Sequence, residues 1–144
     1  MSEVIVTGDP ADVLTALGVG SSLTIALFDP RLKIGGLARP VLPLAFDDRA
    51  AQRRDTRYVG GAIDEMLERL AALGSRGGLE ARLVGGANMF PGLRDDMGQL
   101  NVACARMKLK QAGIPIVGES VGGDTGRSVR FAPSSGSLTI KTKL

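Results

Sequence analysis

Apolar and polar positions along the chain change period several times, and each change marks an element. Val4-Ile5-Val6 is a short apolar run that predicts a first strand. Leu23-Thr24-Ile25-Ala26-Leu27-Phe28 alternates larger apolar with smaller side chains, again the period of a strand. Asp29-Pro30 then starts a turn, because proline presets the turn dihedral. Lys33 to Leu44 returns as an extended segment with Gly35-Gly36 inside it. The spacing next shifts to three and four. Val59, Ala62, Ile63, Met66, Leu67, Leu70 and Leu73 recur at that step, so Arg57 to Leu73 reads as a helix with one apolar face, ended by Gly74. Leu79 to Val84 reads as a strand. Asp96 with Gln99 three residues on forms a capping-box pattern for a second helix, about Met97 to Ala112, with Leu100, Ala103, Cys104 and Met107 as its buried stripe. Ile114 to Val117 opens another strand. Ser128–Phe131, a Pro133-Ser134-Ser135-Gly136 turn and Ser137–Lys141 read as a closing hairpin, with a frayed tail at Lys141 and Lys143.

Two helices set among some eight strands, several of them consecutive, argue for an α+β fold rather than strict βαβ alternation. The 144 residues suit one domain, 1–144, with one core. Aromatics make up 3% and tryptophan is absent, so that core is built from Leu, Val, Ile, Ala and Met. A net charge of +3 from scattered basic residues gives no stripe for nucleic acid. No apolar run approaches the roughly 20 residues that span a bilayer, so no direct membrane insertion is expected. The start MSEVIVTGD lacks the pattern of a signal peptide, and the expected location is cytoplasmic. Ala45 to Thr56, rich in Asp and Arg, reads as a mobile surface loop; its arginines either meet an acidic partner or are simply solvated.

The candidate chemistry lies where glycine is dense. In Leu17 to Pro43, Ser22 stands where the loop Gly18-Val19-Gly20-Ser21 enters a strand, and Arg39 lies on the extended segment after the Asp29-Pro30 turn. Gly18-x-Gly20 lacks the third glycine of a dinucleotide loop, and no lysine follows it as in a phosphate loop. The chain has no histidine, which removes the commonest proton shuttle and any His-containing metal site. Its one cysteine, Cys104, falls on a helix stripe and reads as a small core side chain, with a reactive thiol as the alternative. No metal or cofactor is expected.

Three patterns, in order, resemble the chemoreceptor glutamine deamidases of bacterial chemotaxis, the CheD family. The first is Leu17-Gly18-Val19-Gly20-Ser21, continued by Asp29-Pro30, Gly35-Gly36, Ala38 and Leu42-Pro43. The second is Gly85-Gly86-Ala87-Asn88-Met89-Phe90 with Gly98-x-x-Asn101 behind it. The third is Val121-Gly122-Gly123 followed by Arg127. The likeness runs from about Val4 to Lys141. It implies a layered α/β/β sandwich, and it makes Val13 to Leu17 a strand where Asp9-Pro10 alone would start a helix through Ala16.

The family's activity is hydrolysis of receptor glutamine side-chain amides to glutamate. That chemistry uses a cysteine nucleophile, a histidine base and an assisting threonine, and those positions fall on Ser22, Arg39 and Ala16. The resemblance places Gly20, Ser21, Gly86, Asn88, Phe90, Gly123 and Arg127 in the pocket, with Arg127 suited to brace the glycine loops through backbone carbonyls. Expected partners are a methyl-accepting chemoreceptor and a CheC-type phosphatase. Three readings follow. The first is a catalytically impaired family member kept as a binding module. The second is an active deamidase using Ser22, with Glu119 or a water as base. The third is an unrelated assembly role on the same fold.

Overall fold

The computed structural model describes residues 4–43, 54–88 and 96–142. In chain order the elements are β1 (Val4–Thr7), β2 (Leu14–Val19), β3 (Leu23–Asp29), β4 (Ile34–Ala38), α1 (Val59–Ala72), β5 (Glu80–Gly85), α2 (Met97–Gln111), β6 (Ile116–Val121), β7 (Arg127–Ala132) and β8 (Ser137–Thr142). They form a five-stranded sheet ordered β1-β4-β3-β5-β6 and a three-stranded sheet ordered β2-β7-β8. β5 and β6 are parallel with α2 between them in sequence; the other pairings are antiparallel.

The large sheet is covered on both faces, which makes three layers. Leu23, Ile25 and Leu27 of β3 join Ile63, Met66 and Leu70 of α1 and Leu109 of α2 in the helix-side core. Ala26 and Leu37 face the other way and pack with Leu14, Ala16, Val129 and Phe131 of the small sheet. The alternation of large and small residues in β3 thus has a physical cause. Leu23, Ile25 and Leu27 meet the helices, while the small Ala26 lets the second sheet approach and Phe28 fills the gap beyond it. Phe28 and Phe131 meet edge to face across that gap, with centroids 6.0 Å apart. Arg82 sews the two sheets further by donating to the Gly136 carbonyl at 2.9 Å.

The α+β fold, its two helices and the closing hairpin agree with the sequence reading. Asp9-Pro10 makes a turn instead of a helix: Asp12 N–H donates to the Asp9 carbonyl, and the Asp9 carboxylate accepts from Ala11 N–H. Other expectations are corrected. Leu73 ends α1 45% exposed instead of buried. The α2 stripe is misplaced: Leu100 and Met107 are 51% and 54% exposed, and the buried face is Gly98, Asn101, Val102, Cys104, Ala105 and Leu109. Asp96 precedes α2, but its side chain makes no capping hydrogen bond. Lys141 is not frayed; it lies in β8 opposite Ser128 of β7, and Lys143 lies outside the described residues. The 45–53 part of the charged loop and Phe90 lie outside the described residues. Among the described residues, no helix is long and apolar enough to cross a membrane.

The β3–β4 turn is held by a buried carboxylate. Asp29 is fully buried and accepts from the Ser75 hydroxyl at 2.7 Å and from Arg31 and Leu32 N–H. Burial alone would push this carboxyl up. The Ser75 bond and the two backbone donors, with the Arg31 charge, overcome that and hold it below the usual carboxylate range. A depressed folded value means stability that is present above the ordinary carboxylate value, near 4, and is lost as pH falls through the folded one. Asp29→Asn is therefore expected to cost about 1–3 kcal/mol at pH 7, with the difference from wild type shrinking below about pH 4. Urea unfolding at pH 7 and pH 3 measures it. An equal difference at both would refute the charge assignment.

Candidate functional site

Three glycine-rich loops converge at one end of the large sheet. Gly86 N–H donates to the Ser22 carbonyl at 2.9 Å and Ala87 N–H to the Gly20 carbonyl at 3.0 Å. Gly122 N–H reaches the Gly85 carbonyl at 3.0 Å, and Asn88 N–H reaches the Gly123 carbonyl at 2.8 Å. Such approach excludes side chains. A Cβ on Gly85, whose φ is +114°, would lie 2.6 Å from the Ser22 carbonyl oxygen. Arg127 donates to the carbonyls of Gly122 at 2.9 Å and Gly85 at 3.4 Å, so its guanidinium ties two of the loops together. Asn101, fully buried in α2, donates to Ser21 O at 3.2 Å and Val41 O at 3.3 Å. That role was missed in the sequence, where only its spacing from Gly98 stood out. The usable signal was an amide set among apolar residues on a helix that packs against loops.

On the other side of Ser22, Leu23 N–H donates to the Pro40 carbonyl at 3.1 Å. This continues the β3–β4 register of Ile25 opposite Ala38 and sets Arg39 opposite Thr24. Between β4 and the edge strand β2 opens a cleft of about 340 Å³, lined by Thr15, Ala16, Leu17, Leu37 and Arg39 among others. The register of β2 on β7 slips between Ala16 and Val19, an irregularity of the kind that re-aims groups beside functional sites. Within that slip the Gly18 carbonyl accepts from Arg39 Nη2 at 3.4 Å.

The candidate residues therefore divide. Ala16 and Arg39 share this cleft, with Thr15. Gly86, Asn88 and Gly123 line a separate hollow of about 100 Å³ with Asp96 and Gln99. Gly20, Ser21 and Ser22 form a half-buried loop whose carbonyls accept from Ala87, Asn101 and Gly86. No hydrogen bond joins Ser22 to Arg39 among the described residues.

The electrostatics limit the chemistry. A serine hydroxyl needs a neighbour to take its proton, and a guanidinium does not do so near neutral pH. Glu119, the other candidate base, is gripped by Arg106 through bonds of 2.9 and 2.8 Å, which hold its carboxyl below the usual range. A carboxylate so engaged is a weak base. Burial pushes the Cys104 thiol up, with the Lys108 charge acting the other way; its Sγ lies 2.8 Å from the Pro43 carbonyl. It packs as a core side chain and is not a thiolate nucleophile. Among the described residues, no group of three or more His, Cys, Asp or Glu side chains converges as metal ligands would.

The sequence pattern of a family described as CheD chemotactic sensory transduction matches residues 41–142. The chain belongs to the CheD family. It is 40% identical, over 98% of its length and 90% of the relative's, to a Geobacter metallireducens protein described as a probable chemoreceptor glutamine deamidase. An Archaeoglobus fulgidus protein with the same description is 38% identical over 90% of this chain and 83% of its own. The chemoreceptor glutamine deamidase CheD of Halalkalibacterium halodurans is 35% identical over 99% of this chain and 90% of its own. The glycine loops joined by Arg127 and Asn101 thus lie within a chain of CheD type along nearly its whole length.

Proposed function

We propose that this CheD-family chain binds a chemoreceptor, and a CheC-type phosphatase as a second partner, without deamidating the receptor's glutamines. Its relatives are described as chemoreceptor glutamine deamidases, which supports the receptor as partner. The observation that carries the reading is Arg39. The residue at the position of the proton acceptor is a guanidinium bonded to the Gly18 carbonyl, in a chain with no histidine. Ser22 holds the nucleophile's place with an oxygen, and among the described residues its hydroxyl has no hydrogen bond to a base. Loss of a nucleophile or its base from a coupled pair costs on the order of a million-fold in rate.

The test is ammonia release from a glutamine-bearing receptor cytoplasmic domain, alongside co-sedimentation of the chain with receptor and with phosphatase. The expected result is binding without ammonia above background. Release that Ser22→Ala abolishes would overturn the reading, as would failure to bind the receptor.

A further inference from the structure

We infer that the cleft between β2 and β4 is a carboxylate-binding site anchored by Arg39, one that takes a glutamate side chain in preference to glutamine. This rests on the receptor-binding reading for its natural ligand, although the chemistry of the cleft stands apart from it.

Two observations bear on the cleft, one in its wall and one buried beside it. The first is an uncommitted cation. Arg57, Arg69 and Arg106 are neutralised by Asp55, Glu65 and Glu119. Among the described residues, Arg39 makes no ion pair and no acidic side chain lines the cleft. Among the described residues its one bond, to the Gly18 carbonyl, is long and leaves most of the guanidinium's five donors unused. Arg39 is partly exposed beside Leu17 and Leu37, so its guanidinium is open to a ligand and donates charge-assisted bonds.

The second observation is an orphaned hydroxyl. Thr24 is 1% exposed, and its Oγ1 has no partner. Directly opposed residues of an antiparallel pair project to the same face, so Thr24 and Arg39 stand side by side toward the small sheet. The guanidinium is a fork of donors with no acceptor and a permanent positive charge, and the hydroxyl beside it can add one more donor. Together they suit a carboxylate, which accepts at both oxygens, and they suit a primary amide poorly, because the amide's NH₂ meets further donors.

The experiment has two arms. In the first, calorimetry compares one receptor segment carrying glutamate or glutamine at the same position. The expected preference is at least tenfold for glutamate, erased by Arg39→Gln and reduced by Thr24→Val. In the second, glutarate and glutaramide are titrated while the Arg39 side-chain NMR signals are followed. The expected outcome is that glutarate alone shifts them. Should both peptides bind equally, the receptor reading stands and the carboxylate site falls. Should neither peptide bind while glutarate still shifts Arg39, the site stands and the receptor is the wrong source. Absent or equal shifts with the two small molecules overturn the proposal.

Discussion

Gly98→Ala is expected to lower the unfolding midpoint by roughly 10 °C, from a loss of about 3–4 kcal/mol in a domain of this size. The direction is opposite to helix propensity, which favours alanine over glycine by up to about 1 kcal/mol. Packing decides it. A Cβ on Gly98 would stand 2.4 Å from the Gly86 carbonyl oxygen and 2.6 Å from its carbon. Both are backbone atoms in a loop already tied to Ser22 and Gly122, so neither yields cheaply. Gly86 is equally constrained from its side, with φ +65° and a would-be Cβ 2.5 Å from Val102. Relief requires the first turn of α2 to move outward, and that stretches the Asn101 bonds to Ser21 and Val41. The loop bearing Ser22 therefore loosens together with the helix. Gly60→Ala is the control: it sits in the first turn of α1 with open space around its would-be side chain, and should be neutral or stabilising by about 0.5 kcal/mol. Thermal unfolding of the two variants side by side is the measurement. Equal midpoints would mean that the glycine loops pack less tightly than the geometry requires.

The same close approach explains what was readable in the sequence. α1 was legible because its apolar step of three and four meets a flat sheet, so Val59, Ala62, Ile63, Met66 and Leu70 are all buried. α2 was not, because it packs partly on loop backbone. Its buried face is chosen by fit to Gly86 and by hydrogen bonds to carbonyls 60 and 80 residues away, which favour Gly98 and Asn101 over Leu100 and Met107. No periodicity carries that information. The glycine patterns announced the converging loops, since Gly18, Gly85, Gly86, Gly122 and Gly123 all take a positive φ. What they did not announce was the separation of the site. Arg39 and Ala16 open to one cleft and Asn88 and Gly123 to another, while the Ser22 loop is bonded to Gly86 and Ala87 and is followed by the Leu23–Pro40 bond. Thr24 was hidden for a different reason. As a small residue in the β3 alternation it looked like a spacer, and only the register shows it opposite Arg39.

Ser22→Cys with Arg39→His is expected to raise ammonia release from undetectable to a clear turnover of receptor glutamine, with Ala16→Thr increasing it further. The backbone already holds the frame this chemistry needs. The main chain at Ser22 is fixed by Gly86 N–H on its carbonyl and by the Leu23–Pro40 bond, and neither depends on the side chain. A thiol introduced there enters a frame that is already built, and a thiol is intrinsically far more nucleophilic than a hydroxyl. An imidazole at position 39 replaces a permanent cation with a group that takes and returns a proton near neutral pH. The gain should be strongly non-additive. Nucleophile and base act as a unit, so either substitution alone should leave the rate near background while the pair exceeds both by orders of magnitude. The pH dependence supplies an independent check, because the pair should gain activity as the imidazole loses its proton, in a region where the unaltered chain is flat. If the single Ser22→Cys variant turns over as fast as the pair, Arg39 was never the obstacle. If the pair folds, binds receptor and releases nothing, the defect lies in how the glycine loops present the scissile amide, and the frame around Gly85 and Gly86 becomes the place to look.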